Sequence, residues 1–203
     1  MFALVDKSDN SITKVLSGTK GITIGDVQHP QQIFTIWTEA ERNAINIYTI
    51  EIDTSKFKDE KWYINTDITY SFDGSNVKGS YGDATAKAHA DTKWTQEDED
   101  NGLGTKDDIK EEGLKTVLIR RVKVEAETEL NKTDWYVIRK ADTDEAVPSA
   151  IATHRAAVRS KQAEMETAIT NASDTPALET LYTYTMQEDG TTTRPLGEIP
   201  KLD

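Results

Sequence analysis

An acidic stretch near the middle of the chain has the residue types that come closest to a metal site. Centred on Gly102, it has the spacing of an EF-hand calcium loop. The side-chain ligand positions would be Glu97, Glu99, Asn101, Thr105 and Asp108. An EF-hand loop begins with Asp and closes with a Glu that binds through both oxygens, whereas Glu97 begins this loop and the shorter Asp108 closes it. We therefore interpret the stretch as a solvated acidic loop, and we expect no metal ion and no other cofactor.

Side chains that serve as nucleophiles or zinc ligands in enzymes are few and far apart in this sequence. His29, His89 and His154 each lack a second histidine at ligand spacing, and the chain has no cysteine. Ser80 lies in a turn sequence rather than in a G-x-S-x-G nucleophile elbow. Neither a Walker loop nor a dinucleotide-binding glycine motif occurs. We therefore expect that the chain is not an enzyme.

Aromatic and basic residues are the candidates for contact with a partner. The four tryptophans have polar neighbours in sequence, and packing in a core is the default interpretation for each. The alternative is an anchor in a protein interface, for which Trp135 and Tyr136 are the best candidates. Arg155 and Arg159 are expected to form surface ion pairs, and docking to an acidic partner is the alternative.

Composition narrows the classes of partner. The chain has 203 residues, a formal net charge of -12, 36% hydrophobic residues and 30% charged residues. Such a chain can form one core or two modest domains. Its charge repels duplex DNA and anionic lipid, so we expect neither nucleic acid nor a membrane as a main partner. With no leader-like or membrane-spanning apolar run, we expect synthesis in a cytoplasm.

Residues 1–82 have the patterns of a small β-rich domain. Residues 45–52 largely alternate apolar and polar side chains, as a half-buried strand does. Residues 73–76 predict a hairpin turn before the strand that follows. One short helix is predicted to begin at the capping box of Thr38 and Glu41 and to end near Ala44.

The pattern changes after this domain. Residues 83–106 predict an acidic linker, and residues 107–173 a helical module whose first helix is led by acids. Pro148 is predicted to be the first residue of the last long helix. In this helix four apolar residues are spaced by seven: Ile151, Val158, Met165 and Ala172. This spacing fits a coiled-coil seam, but over so short a length ordinary packing on a neighbouring helix is favoured.

The last residues, 174–203, predict an extended C-terminal arm. Pro195 and Pro200 disfavour a helix near the end, and the apolar Leu196, Ile199 and Leu202 recur every third residue. The expected fold class is therefore α+β, with a small β-rich N-terminal domain followed by an elongated helical C-terminal half and an extended tail.

Three segments resemble a module of tailed-bacteriophage proteins. They are residues 133–140 (TDWYVIRK), residues 146–148 (AVP) and residues 154–159 (HRAAVR). The module is found near the C-terminus of tail-fibre-associated and tail-assembly proteins, often after a β-rich half, and the resemblance covers roughly residues 25–172. The sequence departs from it at His154, where the family usually has Tyr.

This resemblance implies a structural protein of the virion that connects tail or baseplate with fibres. The alternative is an assembly chaperone that binds the fibre tip, whereas a hydrolase of host polysaccharide has no support beyond scattered carboxylates. Expected partners are fibre, baseplate or tail-tube proteins. Homo-oligomerisation is a further expectation, with a trimer favoured. The expected location is the virion tail, and the host cytoplasm during assembly. The interface candidates are Trp135, Tyr136, Ile151, Val158, Met165, Leu196, Ile199 and Leu202.

Overall fold

The chain folds into two compact units in the computed structural model, which describes residues 1–202. The first unit is Met1–Thr85 and the second begins at Ala86, so the division falls inside the predicted joint, close to its start. Strands form 22% of the structure and helices 37%, with a β-rich N-terminal region and a helical C-terminal half. The expected α+β class is therefore confirmed.

Unit 1 contains short strands, one 3-10 helix and one α-helix. The strands are β1 (Phe2–Asp6), β2 (Ser11–Leu16), β3 (Ile22–Ile24), β4 (Val27–His29), β5 (Ile47–Asp53), β6 (Tyr63–Ile64), β7 (Thr69–Phe72) and β8 (Val77–Ser80). The 3-10 helix is Gln31–Phe34, α1 is Glu39–Ala44, and β9 (Thr85–Ala86) lies at the division. Five of the strands form one sheet in the order β2-β1-β5-β8-β7, in which only the β5–β8 pair is parallel.

Both faces of this sheet are covered by apolar side chains. Ala3 and Val5 of β1 belong to one buried cluster, together with Tyr48 and Ile50 of β5. Phe2 and Leu4 of β1 pack against the other cluster. That second cluster is built from Ile22, Ile33, Phe34 and Ile47. Because successive side chains of a strand point to opposite faces, β1 contributes to both clusters and lies at the centre of the unit.

Two local predictions in unit 1 are confirmed. Thr38 and Glu41 form the capping box, with the Thr38 N–H donating to Glu41 Oε2 at 2.7 Å and the Glu41 N–H to Thr38 Oγ1 at 3.3 Å. Helix α1 ends at Ala44, as the sequence predicts. β7 and β8 form the predicted hairpin, in which Gly74 takes a positive φ of 98° that favours glycine.

Unit 2 contains five helices and four short strands within the described residues. They are β10 (Thr92–Lys93), α2 (Gln96–Asp100), β11 (Ile109–Glu111), α3 (Leu114–Asn131), α4 (Asp134–Thr143), α5 (Ser149–Asn171), α6 (Thr175–Tyr182), β12 (Thr185–Met186) and β13 (Thr192–Thr193). No helix of residues 1–202 has the length and apolar composition needed to cross a membrane.

The core of unit 2 lies between α3 and α5, which pack against each other. α3 contributes the buried Leu118, Val122 and Ala126, and α5 contributes the buried Val158 and Met165. Val158 and Met165, two of the residues spaced by seven, are therefore packed inside the unit. Their burial corrects their place among the interface candidates and agrees with ordinary packing on a neighbouring helix.

The region expected to be a linker contains short strands and a short helix. β10 pairs with β11 in antiparallel fashion, and α2 lies between them. Residues 107–113 were expected to open a helix with leading acids, but three of them form β11 and α3 begins only at Leu114. The N-cap of α3 is Gly113, which has no side chain to cap the helix. Asp91 takes that role from a distance by accepting hydrogen bonds from the Gly113 N–H and the Thr116 hydroxyl, both at 2.7 Å.

Residues 174–202 correct the expectation of an extended arm, and the last arm residue, Asp203, lies outside the described residues. Asp174 caps α6 by accepting a hydrogen bond from the Ala177 N–H at 2.8 Å. A hairpin of β12 and β13 follows. Leu196 and Ile199 are then buried in unit 2, with 2% and 3% of their surface exposed. Two of the three apolar residues that suggested docking to a partner are therefore packed within unit 2, and Leu202 remains partly exposed.

Candidate protein-binding surface on α4

The start of α4 is fixed by a buried arginine. Arg155 of α5 is only 7% exposed, and its Nη1 donates to the Leu130 carbonyl and to Thr133 Oγ1, both at 2.7 Å. The same atom lies 2.8 Å from Asp134 Oδ1. Thr133 is fully buried, and its hydroxyl donates to the Leu130 carbonyl at 2.9 Å instead of capping α4. Arg155 thus joins the end of α3 and the beginning of α4 to α5, which sets the direction of α4.

Three of the exposed side chains of α4 are apolar. The exposed fractions are 57% for Trp135, 43% for Val137 and 66% for Ile138, and no residue of α4 is buried. Trp135 and Ile138 are three apart and therefore neighbours on one side of the helix, which we call the α4 face. Val137 is two positions from Trp135 and points to another side. An amphipathic helix usually turns its apolar side to the core, so the exposed α4 face is a candidate for contact with another protein.

One basic side chain supports the aromatic part of this face. The Arg139 guanidinium lies 5.1 Å from the ring centre of Trp135 and 5.4 Å from that of Tyr136. It also forms an ion pair with Glu145 at 3.1 Å, in the loop that follows α4. Stacking of this kind limits the rotation of an aromatic side chain, so that less conformational entropy is lost when Trp135 binds.

The eight interface candidates are not brought together at one surface. Trp135 lies on the α4 face, while Tyr136 and Ile151 are half-buried. Leu202 keeps 37% of its surface exposed. The remaining four, Val158, Met165, Leu196 and Ile199, are buried within unit 2. Among these eight candidates, Trp135 of α4 has the most exposed side chain, followed by Leu202.

Packing as the default for each tryptophan holds only in part. Trp62 is buried, Trp37 and Trp94 are half-buried, and Trp135 is exposed. The exposure of Trp135 is compatible with the alternative interpretation of this residue, an anchor in a protein interface.

Sequence reasoning missed two buried charged residues near α4. Arg155 was expected on the surface, but it is buried and bonded to three groups of the α3–α4 turn. Glu129 was not singled out, yet it is 1% exposed at the end of α3. The resemblance held a signal for Arg155, since the module pairs a threonine–aspartate step with a later arginine. Glu129 gave no comparable signal among the 36 acids of the chain.

Within residues 1–202, no three His, Asp or Glu side chains are grouped so that they could hold a metal ion. Comparison of the chain with models of protein families, with curated proteins and with solved structures finds no match in any of the three.

Proposed function

We propose that this chain is a structural protein of a bacteriophage tail, which joins the tail or baseplate to fibres by binding another tail protein through the α4 face. The observation that carries the proposal is the exposure of Trp135 and Ile138 on a helix whose direction is fixed by Arg155. The phage module that residues 133–159 resemble supplies the kind of partner. The segments that carry the resemblance also contain the α4 face and Thr133, Asp134 and Arg155, whose contacts we call the clamp.

The energetics of exposed aromatic residues support this use. A few anchors, often tryptophan or arginine, supply most of the binding energy of a protein interface. Trp135, with Arg139 stacked on it, is such a group. Because the Trp135 side chain is largely exposed, it contributes little to the stability of unit 2. When a partner covers the apolar side of a helix that was in solvent, the free energy of the system falls.

The proposal is tested by incorporation into particles. In the phage whose genome encodes this chain, we expect mass spectrometry to detect the protein in purified virions. An Ile138→Glu variant should fold normally but be lost from the virions, because a charge on the α4 face opposes desolvation. Val124→Glu is the matched control, since Val124 is also an exposed apolar residue of a unit 2 helix, at 54%.

Each outcome distinguishes a role. Loss of Ile138→Glu alone supports the proposal. Absence of the wild-type protein from virions, together with its binding to fibre protein in infected cells, would instead identify an assembly chaperone. Equal incorporation of all three proteins would contradict binding through the α4 face.

A further inference from the structure

Several cationic and hydrogen-bond-donating groups of unit 2 lie close to the carboxylate of Glu129. Lys132 Nζ donates to Glu129 Oε2 at 2.7 Å, and the Leu202 N–H donates to Oε1 at 2.8 Å. Lys201 Nζ lies 3.9 Å from Oε2. His154 Nε2 lies 3.3 Å from Oε1 but makes no hydrogen bond within residues 1–202, although the atom is buried. The pKa of Glu129 lies below its ordinary value, chiefly because Lys132 and the Leu202 N–H bond to its charged form.

Two of these groups belong to the end of the described chain. We define residues 194–202 as the C-terminal strap. Its Leu196 N–H donates to the Leu181 carbonyl of α6 at 3.0 Å, and Leu196 and Ile199 are buried. A Cβ atom at Gly197 would lie 2.6 Å from Lys161 Nζ of α5, so the strap also approaches that helix closely. Beyond Ile199, the hydrogen bond from Leu202 and the nearby Lys201 connect the strap to Glu129.

Glu129 Oε1 therefore lies close to two groups. The Leu202 N–H donates to it, and the buried His154 Nε2 lies 3.3 Å away without a hydrogen bond. We propose that His154 and Glu129 form a pH-sensitive latch on the C-terminal strap, in which protonation of His154 favours the open strap. The proposal goes beyond the function in the tail and holds whichever partner binds the α4 face.

The direction of the effect follows from the charges around His154. Histidine is the side chain whose ordinary pKa, about 6.5, falls between pH 5 and 8. With the strap closed, a protonated His154 shares one carboxylate with the cations Lys132 and Lys201 and with the Leu202 N–H. With the strap open, Lys201 and the Leu202 N–H leave, so the carboxylate stabilises the imidazolium more strongly.

The neighbouring charge on α5 does not enter this balance directly. Arg155, adjacent to His154 in sequence, is bonded to the α3–α4 turn and pairs with Asp134 at 2.8 Å. Protonation is therefore better accommodated in the open state, and by linkage it raises the population of that state. One linked proton changes such an equilibrium by at most about tenfold per pH unit, so opening remains a local event while Leu196 and Ile199 still favour closure.

Amide hydrogen exchange on the full chain tests the latch. The amides of Leu196 and Leu202 are followed at about pH 7.5 and about pH 5.5, as protection factors that correct for the intrinsic effect of pH on exchange. We expect their protection to fall at the lower pH, with about tenfold per pH unit as the upper bound for one linked proton. Amides at the centre of α5 should keep their protection.

Three variants separate the latch from general acid sensitivity. His154→Gln keeps a polar side chain that does not titrate, and its strap protection should be the same at both pH values. His89→Gln removes another histidine of unit 2 and should respond like the wild type. Glu129→Gln should lower strap protection at both pH values. Unchanged protection in the wild type, an undiminished pH response in His154→Gln, or full protection in Glu129→Gln would each overturn the proposal.

Discussion

The α4 face and the C-terminal strap make opposite use of similar residues. Both carry apolar side chains that the sequence suggested for contact with a partner. Trp135 and Ile138 remain exposed on α4, whereas Leu196 and Ile199 of the strap are buried in unit 2. The difference lies in the surroundings. The Leu196 N–H donates to a carbonyl of α6, and the Leu202 N–H donates to Glu129. Arg155, by contrast, fixes the start of α4 and leaves its outer side uncovered. An exposed apolar pattern in the sequence therefore indicates an interface only where no other part of the chain packs against those residues.

Removing the strap should give the largest effect on stability. Deletion of residues 194–203 uncovers the surface that Leu196 and Ile199 bury, and truncating one buried aliphatic side chain costs about 2–5 kcal/mol. We therefore expect a large fall in the Tm of unit 2, measured by calorimetry. Leu202→Ala, at a partly exposed position, is the control and should change the Tm little. A deletion variant that melts like the wild type would show that the strap behaves as a free arm.

The clamp at the base of α4 should come next. Arg155→Met keeps the aliphatic length but removes the bonds to Leu130, Thr133 and Asp134. Loss of buried charge-assisted hydrogen bonds of this kind costs about 1–3 kcal/mol. Chemical denaturation should show this loss, and Arg159→Met on the exposed side of α5 should be nearly neutral. Equal stabilities of the two variants would mean that the arginine does not hold α4.

The effect of Glu129 should depend on pH. Because its pKa is lowered in the folded protein, its carboxylate contributes stability that is complete above the ordinary value of 4.5 and is lost as pH falls through the lowered value. Glu129→Gln should therefore melt below the wild type near neutral pH, and the difference should narrow in acid. Thermal melts across this range provide the measurement, with the exposed Glu127→Gln as control. A gap that stays constant with pH would refute the role of the charge.

The smallest effect on stability is expected at the α4 face. Trp135→Ala should leave the Tm almost unchanged, since the side chain is largely exposed, whereas Trp62→Ala in the core of unit 1 should cost about 3–5 kcal/mol. Thermal melts of the two variants sharpen the contrast between a residue kept for binding and one kept for packing. Comparable losses would place Trp135 in the core of unit 2.

The parts of the fold that depend on near neighbours in sequence could be predicted. The capping box of α1 and the turn before β8 are formed by residues within a few positions of one another. The start of α3 could not be predicted in this way, because residues 109–111 pair as β11 with the earlier β10 and Asp91 caps the helix from outside it. The position of Leu196 likewise depends on α6, and the spacing of apolar residues near Leu196 carries no information about that helix.

For the candidate site, the sequence indicated the residues but not their roles. The TDWYVIRK segment and the later HRAAVR segment were singled out, and Trp135 was named as an anchor. Which members form the clamp and which face solvent depends on the return of α5 to the end of α3, a contact between residues more than twenty positions apart. Such a contact leaves no local pattern.

The central claim is that α4 is covered by another tail protein in the assembled particle, and site-specific photo-crosslinking tests it most directly. A photoreactive amino acid is placed at Ile138 in one variant and at Val124 in a second, and virions assembled with each are irradiated. We expect a covalent product with a second tail protein from position 138 and none from position 124. No product from position 138 in particles that contain the chain, or equal products from both positions, would contradict the account.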